Sequence, residues 1–286
     1  LNYVERFGFD RHNLPKNLSL SLGSGAVTPL QLATGYAVFA NGGYRVEPYF
    51  ITHILDSKGE IIMQAKPATV CPECAELTLE MEKNKLDEKI ADSDIVAIND
   101  GSTDSGLTAE EEAILLMPEN IAERIVPEDN VYLMTSIMRD VIRRGTGRRA
   151  RQLGRHDIAG KTGTTNDQRD AWFSGFNQDI VTTSWVGFDR AQSLGNKETG
   201  GRAALPMWMG YMKEALKGIP EKPLKRPAGL ISVRIDPKTG LLAGTQQADA
   251  IFETFRTKYV PKRYADSTDI SKDSTKNGKG ASELLF

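Results

Sequence analysis

No stretch of this chain is apolar for anything near the ~18 residues that a membrane-crossing helix needs. Its composition, 40% hydrophobic and 26% charged, is that of an ordinary globular protein. Metal-holding groups are scarce: among 286 residues there are two cysteines and three histidines, and His12, His53 and His156 are scattered. A zinc site takes four ligands, and the motif Cys71-Pro72-Glu73-Cys74 finds no second pair to complete one. The motif fits a local disulfide or two free thiols better, and no metal and no cofactor are expected. Charge of one sign is missing too. Lys and Arg number 36 against 38 Asp and Glu, a formal charge of −2 that gives no global attraction to nucleic acid or anionic lipid. There is no internal repeat and no signal peptide, and the first residue is Leu1 rather than methionine, so the chain is expected to be a piece of a longer protein.

The length allows one large domain or two small ones with a proper core. Thr28 as N-cap, Pro29 at the first helical position and the spacing of Leu32, Tyr36, Phe39 and Ala40 predict a helix that Asn41-Gly42-Gly43 stops. Tyr49 to Leu55 and Glu60 to Gln64 read as a β-hairpin around Asp56-Ser57-Lys58-Gly59. An apolar stripe of Val131, Met134, Ile137, Met138, Val141 and Ile142 predicts a helix from about Asn130 to Arg144, ended by Gly145-Thr146-Gly147. Asp157 to Thr165, Ala171 to Phe176 and Ile180 to Phe188 read as three strands with short connections, hence an antiparallel meander. A helix over Pro206 to Leu216 follows. Gly229 to Ile235 and Leu241-Leu242, around Asp236-Pro237-Lys238-Thr239-Gly240, suggest a further hairpin.

Composition shifts once along the way. From Cys71 to Glu112 thirteen acidic residues face three lysines, so residues 66–120 read as an acidic insertion. Leu79, Leu86 and Ile90 could share a helix there, and Thr108 with Glu111 is a capping-box signature. The domain reading is therefore 1–65 and 121–264 as parts of one catalytic fold, and 265–286, rich in Ser, Lys and Asp, as a disordered tail.

Chemistry concentrates at Gly160-Lys161-Thr162-Gly163-Thr164-Thr165. A cation, hydroxyls and side-chain-free glycines on one short strand are what a sheet edge needs to hold an extended substrate by main-chain bonds and its carboxylate by charge-assisted ones. On a regular strand Thr162 and Thr164 project to one face and Lys161 to the other, so only at a sheet edge can all three border one cleft. A plain solvated edge strand would use the same residue types. A phosphate loop would need glycine at position 155, where Arg155 stands, and should open a helix. Arg143, Arg144, Arg148, Arg149, Arg151 and Arg155 form a basic patch, read as a solvated face that complements the helix end, with no aromatic platform for nucleic acid. Trp172, Phe173 and Phe176 read as sheet core, and Arg169 with Asp170 as a local pair.

Lys161-Thr162-Gly163-Thr164-Thr165, Asp170-Ala171-Trp172-Phe173 and Trp185-Val186-Gly187-Phe188-Asp189 together resemble the C-terminal half of the transpeptidase domain of class A penicillin-binding proteins. Gly23-Ser24-Gly25, Thr28 to Ala33, Ala40 to Gly43 and Gly145-Thr146-Gly147 add to the resemblance. It implies an α/β (α+β) fold, a mostly antiparallel sheet with helices on both faces, and a serine acyltransferase that cross-links peptidoglycan. The partners it implies are stem peptides ending in D-Ala-D-Ala, lipid II-derived glycan and β-lactams, with no nucleic acid. It also implies a membrane-anchored parent on the periplasmic face of the bacterial inner membrane, with a glycan-polymerising domain.

By that resemblance Lys161 supplies positive potential, Thr162 and Thr164 bind the substrate carboxylate, Gly163 and Thr165 complete the binding strand, and the Thr164 N–H is half of an oxyanion hole. The family's Ser-x-x-Lys and Ser-x-Asn motifs are absent; Ser136-Ile137-Met138-Arg139 is the nearest echo, and arginine is no base. The nucleophile is therefore expected upstream of Leu1, and the piece alone is expected to form no acyl-enzyme. The alternatives are a class A-like β-lactamase and a non-catalytic sensor that binds β-lactams or peptidoglycan.

Overall fold

The structure, a computed structural model, describes residues 1–74 and 120–265. By chain contacts it divides into two units, one of Leu1–Pro127 with Ile137–Pro223 and the other of Glu128–Ser136 with Leu224–Phe286. The helical segments are α1 (Asn2–Glu5), α2 (Pro29–Ala40), α3 (Glu128–Arg143) and α4 (Leu205–Ala215). The strands are β1 (His53–Leu55), β2 (Ile61–Gln64), β3 (Ala159–Thr164), β4 (Asp170–Phe176), β5 (Val181–Gly187), β6 (Leu230–Ile235) and β7 (Ile251–Arg256).

The centre of the first unit is the antiparallel meander β3-β4-β5, with β3 at one edge. Alternation along β4 sorts its side chains between two layers. Ala171 and Phe173 face α4, where Trp208, Leu205 and Met212 are fully buried with them. Phe176 faces the other way, with Ala159, Met138 and the Tyr36 and Phe39 side of α2. Helices thus cover both faces, as expected. Burial contributes roughly 1.5–3 kcal/mol per large apolar side chain, so the Trp208–Phe173 contact, an edge-on ring pair 4.9 Å apart, is a main anchor. Gly175 makes room for it: a Cβ there would lie 2.6 Å from Trp208 Cζ2.

Local signals explain the element ends. Thr28 accepts from Gln31 N at 3.1 Å while Gln31 Oε1 accepts from Thr28 N at 2.9 Å, a complete capping box with Pro29 behind it. Gly43, at φ +105°, closes the other end by donating to Val38 O. Burial of its ring against the sheet pushes the Tyr36 phenol up to about 12.

Three sequence expectations need adjustment. The first hairpin is shorter than expected, pairing only His53–Leu55 with Ile61–Gln64. In the second unit β6 pairs along its whole length with β7, which periodicity did not reveal because Ile251 to Arg256 mixes charge and ring residues. Leu242 joins no strand and makes isolated bridges to Ile235, across the Asp236 turn, and to Tyr264. Third, Ala265, read as the start of the tail, donates its N–H to Leu242 O at 2.9 Å.

Cys71 and Cys74 form a disulfide. Beside it Thr69 and Ile121 make a parallel bridge, and Asn120 Nδ2 donates to Lys66 O at 2.8 Å, so the two margins of the acidic segment close on each other. The helix expected through Leu79, Leu86 and Ile90, the Thr108 capping box and the tail beyond Ala265 lie outside the described residues.

Candidate active site

Among the described residues no strand pairs with β3 on the side away from β4. Pairing parity then fixes which backbone groups face that open side. Thr165 donates its N–H to Asp170 O at 3.1 Å, so 165, 163 and 161 point their main-chain groups at β4, and Thr164 and Thr162 point theirs outward. The edge that the sequence argument demanded therefore exists, and Thr164 N–H lies on it.

Side chains alternate as expected. Lys161 is on the α2 face, paired across the sheet with Ser174. Its ammonium reaches back to the edge and donates to Thr162 O at 3.0 Å. Lys161 is an exposed residue, yet partial desolvation of its ammonium lowers the pKa below the ordinary lysine value. Thr162 and Thr164 are on the opposite face. Thr162 Oγ1 is 2.8 Å from Thr146 Oγ1, and Thr164 Oγ1 accepts from Gly200 N at 3.0 Å. One cation and two hydroxyls thus border one open strand edge from its two sides.

Thr146 and Gly200 adjoin the strand motif; the sequence reading singled out Thr146 only within Gly145-Thr146-Gly147, and Gly200 not at all. Gly145-Thr146-Gly147 was legible as a helix stop, and Gly147 N does donate back to Val141 O at 3.0 Å. The glycines do more than end a helix. A Cβ on Gly145 would lie 2.9 Å from Val141 Cα, and one on Gly147 would lie 3.3 Å from the Phe173 ring. A Cβ on Gly201 would lie 3.0 Å from Thr146 O. Runs of glycine next to the strand motif, Gly200-Gly201 included, were the signal of such close approach.

The β3–β4 turn carries Thr165 away from the edge, contrary to its expected place in the binding strand. Its hydroxyl accepts from Asp170 N at 2.8 Å and is spent on closing the turn. Asp170 does not pair with Arg169: its carboxylate accepts from Trp185 Nε1 at 2.9 Å, while Arg169 bonds Asp167. The turn holds Asp167 and Gln168 at φ 58° and 52°, a region that non-glycine residues seldom occupy. Gln168 uses that conformation to tie down the loop before Gly200, accepting from Leu194 N at 2.8 Å and from Lys197 N at 2.7 Å.

The basic patch divides. Arg143 and Arg144 pair with Asp140 on the surface at the end of α3, and Arg148, Arg149 and Arg151 are exposed, as expected of a solvated face. Arg155 is a correction: only 13% of its side chain is exposed, against 2% for Asp157, which it grips through two bonds of 2.8 and 2.7 Å. Its third nitrogen donates to Ile219 O at 2.7 Å. Burial raises the Asp157 pKa, but the bonds from Arg155 and Asn177 outweigh it and hold the carboxyl below its usual value. The pair is structural.

The chemistry available is a grip for an extended, carboxylate-ended chain with a backbone N–H beside it. The Ser136-to-Arg139 echo lies within α3. Residues 5–197 match the penicillin binding protein transpeptidase domain. The chain is 45% identical over 261 residues, 91% of its length, to penicillin-binding protein 1A of Pseudomonas aeruginosa, and spans 31% of that relative. It is 41% identical over 230 residues, 80% of its length, to penicillin-binding protein 1A of Neisseria lactamica, and spans 23% of it. The crystal structure of penicillin-binding protein 1A from Haemophilus influenzae superposes with a TM-score of 0.72 at 34% identity, covering 93% of this chain and 37% of that one.

Proposed function

The chain belongs to the penicillin-binding protein transpeptidase family, and we propose that it forms the carboxylate-binding half of a serine D,D-transpeptidase site. The observation that carries this reading is the open β3 edge, bordered by the Lys161 ammonium and the Thr162 and Thr164 hydroxyls, with Thr164 N–H turned outward. A stem peptide laid along that edge adds a strand, and its terminal carboxylate meets the ammonium and the two hydroxyls. The scissile carbonyl then sits beside Thr164 N–H, which stabilises the oxyanion; such a donor is worth about 3 kcal/mol in the transition state. A serine supplied by upstream sequence attacks that carbonyl, the terminal D-alanine leaves, and an amine of a neighbouring stem resolves the acyl-enzyme. β-Lactams acylate the same serine.

The reading extends to the whole protein: peptidoglycan stem peptides and lipid II-derived glycan as substrates, a glycan-polymerising domain, and an anchored position on the periplasmic face of the inner membrane. Among the described residues no helix is long and apolar enough to cross a membrane.

Fluorescent penicillin tests the reading. The protein carrying the upstream sequence should take up one stable label, and this chain alone should take up none. Labelling of this chain would show that the nucleophile has been misplaced. Rapid loss of the label from the longer protein would mark a β-lactamase instead, and an unlabelled longer protein that still binds peptidoglycan would mark a sensor.

A further inference from the structure

Donor and acceptor bookkeeping at the open edge goes one step further than the list of binding groups. An N–H can only donate, so the Gly200 N–H at 3.0 Å from Thr164 Oγ1 makes that hydroxyl an acceptor from behind and leaves its own proton for the edge. Among the described residues Thr162 has no such N–H. The group behind it is Thr146 Oγ1 at 2.8 Å, and either hydroxyl could be the donor. When a carboxylate, which only accepts, binds in front of Thr162, Thr162 must spend its single proton on it. The bond to Thr146 then has one direction: Thr146 O–H donates to Thr162 Oγ1. Chains of hydrogen bonds so ordered polarise one another.

We propose that Thr146 is a positioning residue for carboxylate recognition, the hydroxyl that turns Thr162 into an outward donor as Gly200 N–H turns Thr164. The inference rests on the functional reading above and names what sets the grip of that same site. The surroundings support it. Thr146 is itself exposed, but its backbone is held on both sides, by Gly145 against Val141 and Gly147 against the Phe173 ring, and its carbonyl lies against Gly201. Three glycines in close approach hold the backbone that carries this one hydroxyl. A helix stop needs only one of them.

The test compares acylation of the complete protein by a penicillin with acylation by its carboxylate methyl ester, which keeps the reactive ring and lacks the anion. Thr162→Val should slow the acid about tenfold or more and the ester far less. Thr146→Val should slow the acid about five- to tenfold and leave the ester within about twofold, and Thr146→Ser should restore the acid rate. If Thr162→Val shows this selectivity and Thr146→Val does not, the positioning role is wrong and the functional reading stands. If Thr162→Val itself shows no preference for the acid, the reading of the edge fails. Equal losses on acid and ester for Thr146→Val would make Thr146 a merely structural residue and overturn the proposal. Should Thr146→Val not fold, Thr146→Ala against Thr146→Ser on the same two substrates decides the matter by the same criteria.

Discussion

Gly200 lies flat against Gly163: a Cβ on Gly200 would stand 2.5 Å from the Gly163 carbonyl oxygen, and closer still to that of Trp172. Both obstacles are main-chain atoms of paired strands, which cannot rotate away as a side chain can. Gly200→Ala should therefore push the 200–204 segment off the sheet and withdraw the N–H from Thr164. Overpacking of this kind costs about 1–3 kcal/mol or more. A melting-temperature loss with slower penicillin acylation of the complete protein is the expected pair of results. Gly210→Ala is the control, because Gly210 sits within α4 with nothing inside 4 Å of its would-be Cβ. That change should raise stability by up to about 1 kcal/mol.

Asp157→Asn should be among the most damaging single changes in the first unit. It leaves the Arg155 guanidinium, itself 13% exposed, without its anion. Breaking a buried pair from one side typically costs about 3–5 kcal/mol. The pH dependence has a definite sign. Asp157 has a folded pKa below its ordinary value of 3.8, so its stabilisation is fully present above pH 3.8 and is lost as pH falls through the lowered folded value. Denaturant unfolding of wild type and Asp157→Asn from pH 7 downward should show the gap between them closing only on the acid side of pH 3.8.

The second unit offers a parallel case. Asp236, 1% exposed, accepts from Thr239 N at 2.7 Å and from Lys238 N at 2.8 Å, and the Gln247 amide caps its other oxygen. Hydrogen bonding, from Thr239 N first, holds its pKa down. Asp236→Ala strands two backbone donors, about 1–3 kcal/mol each when buried. Amide exchange should rise first at Lys238 and Thr239 and then along β6.

How far these features could be read in advance depends on their range in the sequence. The meander, α2 and α4 were legible because caps and periodicity are local: Thr28 and Pro29 announce α2, and short polar turns announce three adjacent strands. Lys161, Thr162 and Thr164 were legible as an edge motif for the same reason. The contacts of Thr146 with Thr162 and of Gly200 with Thr164 were not, since they span 16 and 36 residues of sequence. Arg155 was misread because sequence shows a run of arginines and not which of them finds an acid inside; its bidentate partner is two residues on, yet its carbonyl partner Ile219 is 64 away. β7 stayed hidden because its six residues carry Glu253 and Arg256 among rings, and only pairing with β6 makes them a strand.

Lys161 provides the last test. Partial desolvation lowers its pKa from the ordinary 10.5, and the only hydrogen bond its ammonium makes among the described residues is to the Thr162 carbonyl. The protonated form supplies the positive potential at the edge. It disappears as pH rises through the lowered value, so acylation of the complete protein should fall off on the alkaline side at a pH below 10.5, while a fully solvated lysine would hold its charge longer. Lys161→Arg keeps its charge throughout that range, because a guanidinium does not deprotonate. Its larger planar head should lower the overall rate, yet its alkaline limb should be flat once spontaneous hydrolysis of the β-lactam is subtracted. An identical alkaline limb in wild type and Lys161→Arg would mean that some other group titrates there and that Lys161 does not set the potential of the edge.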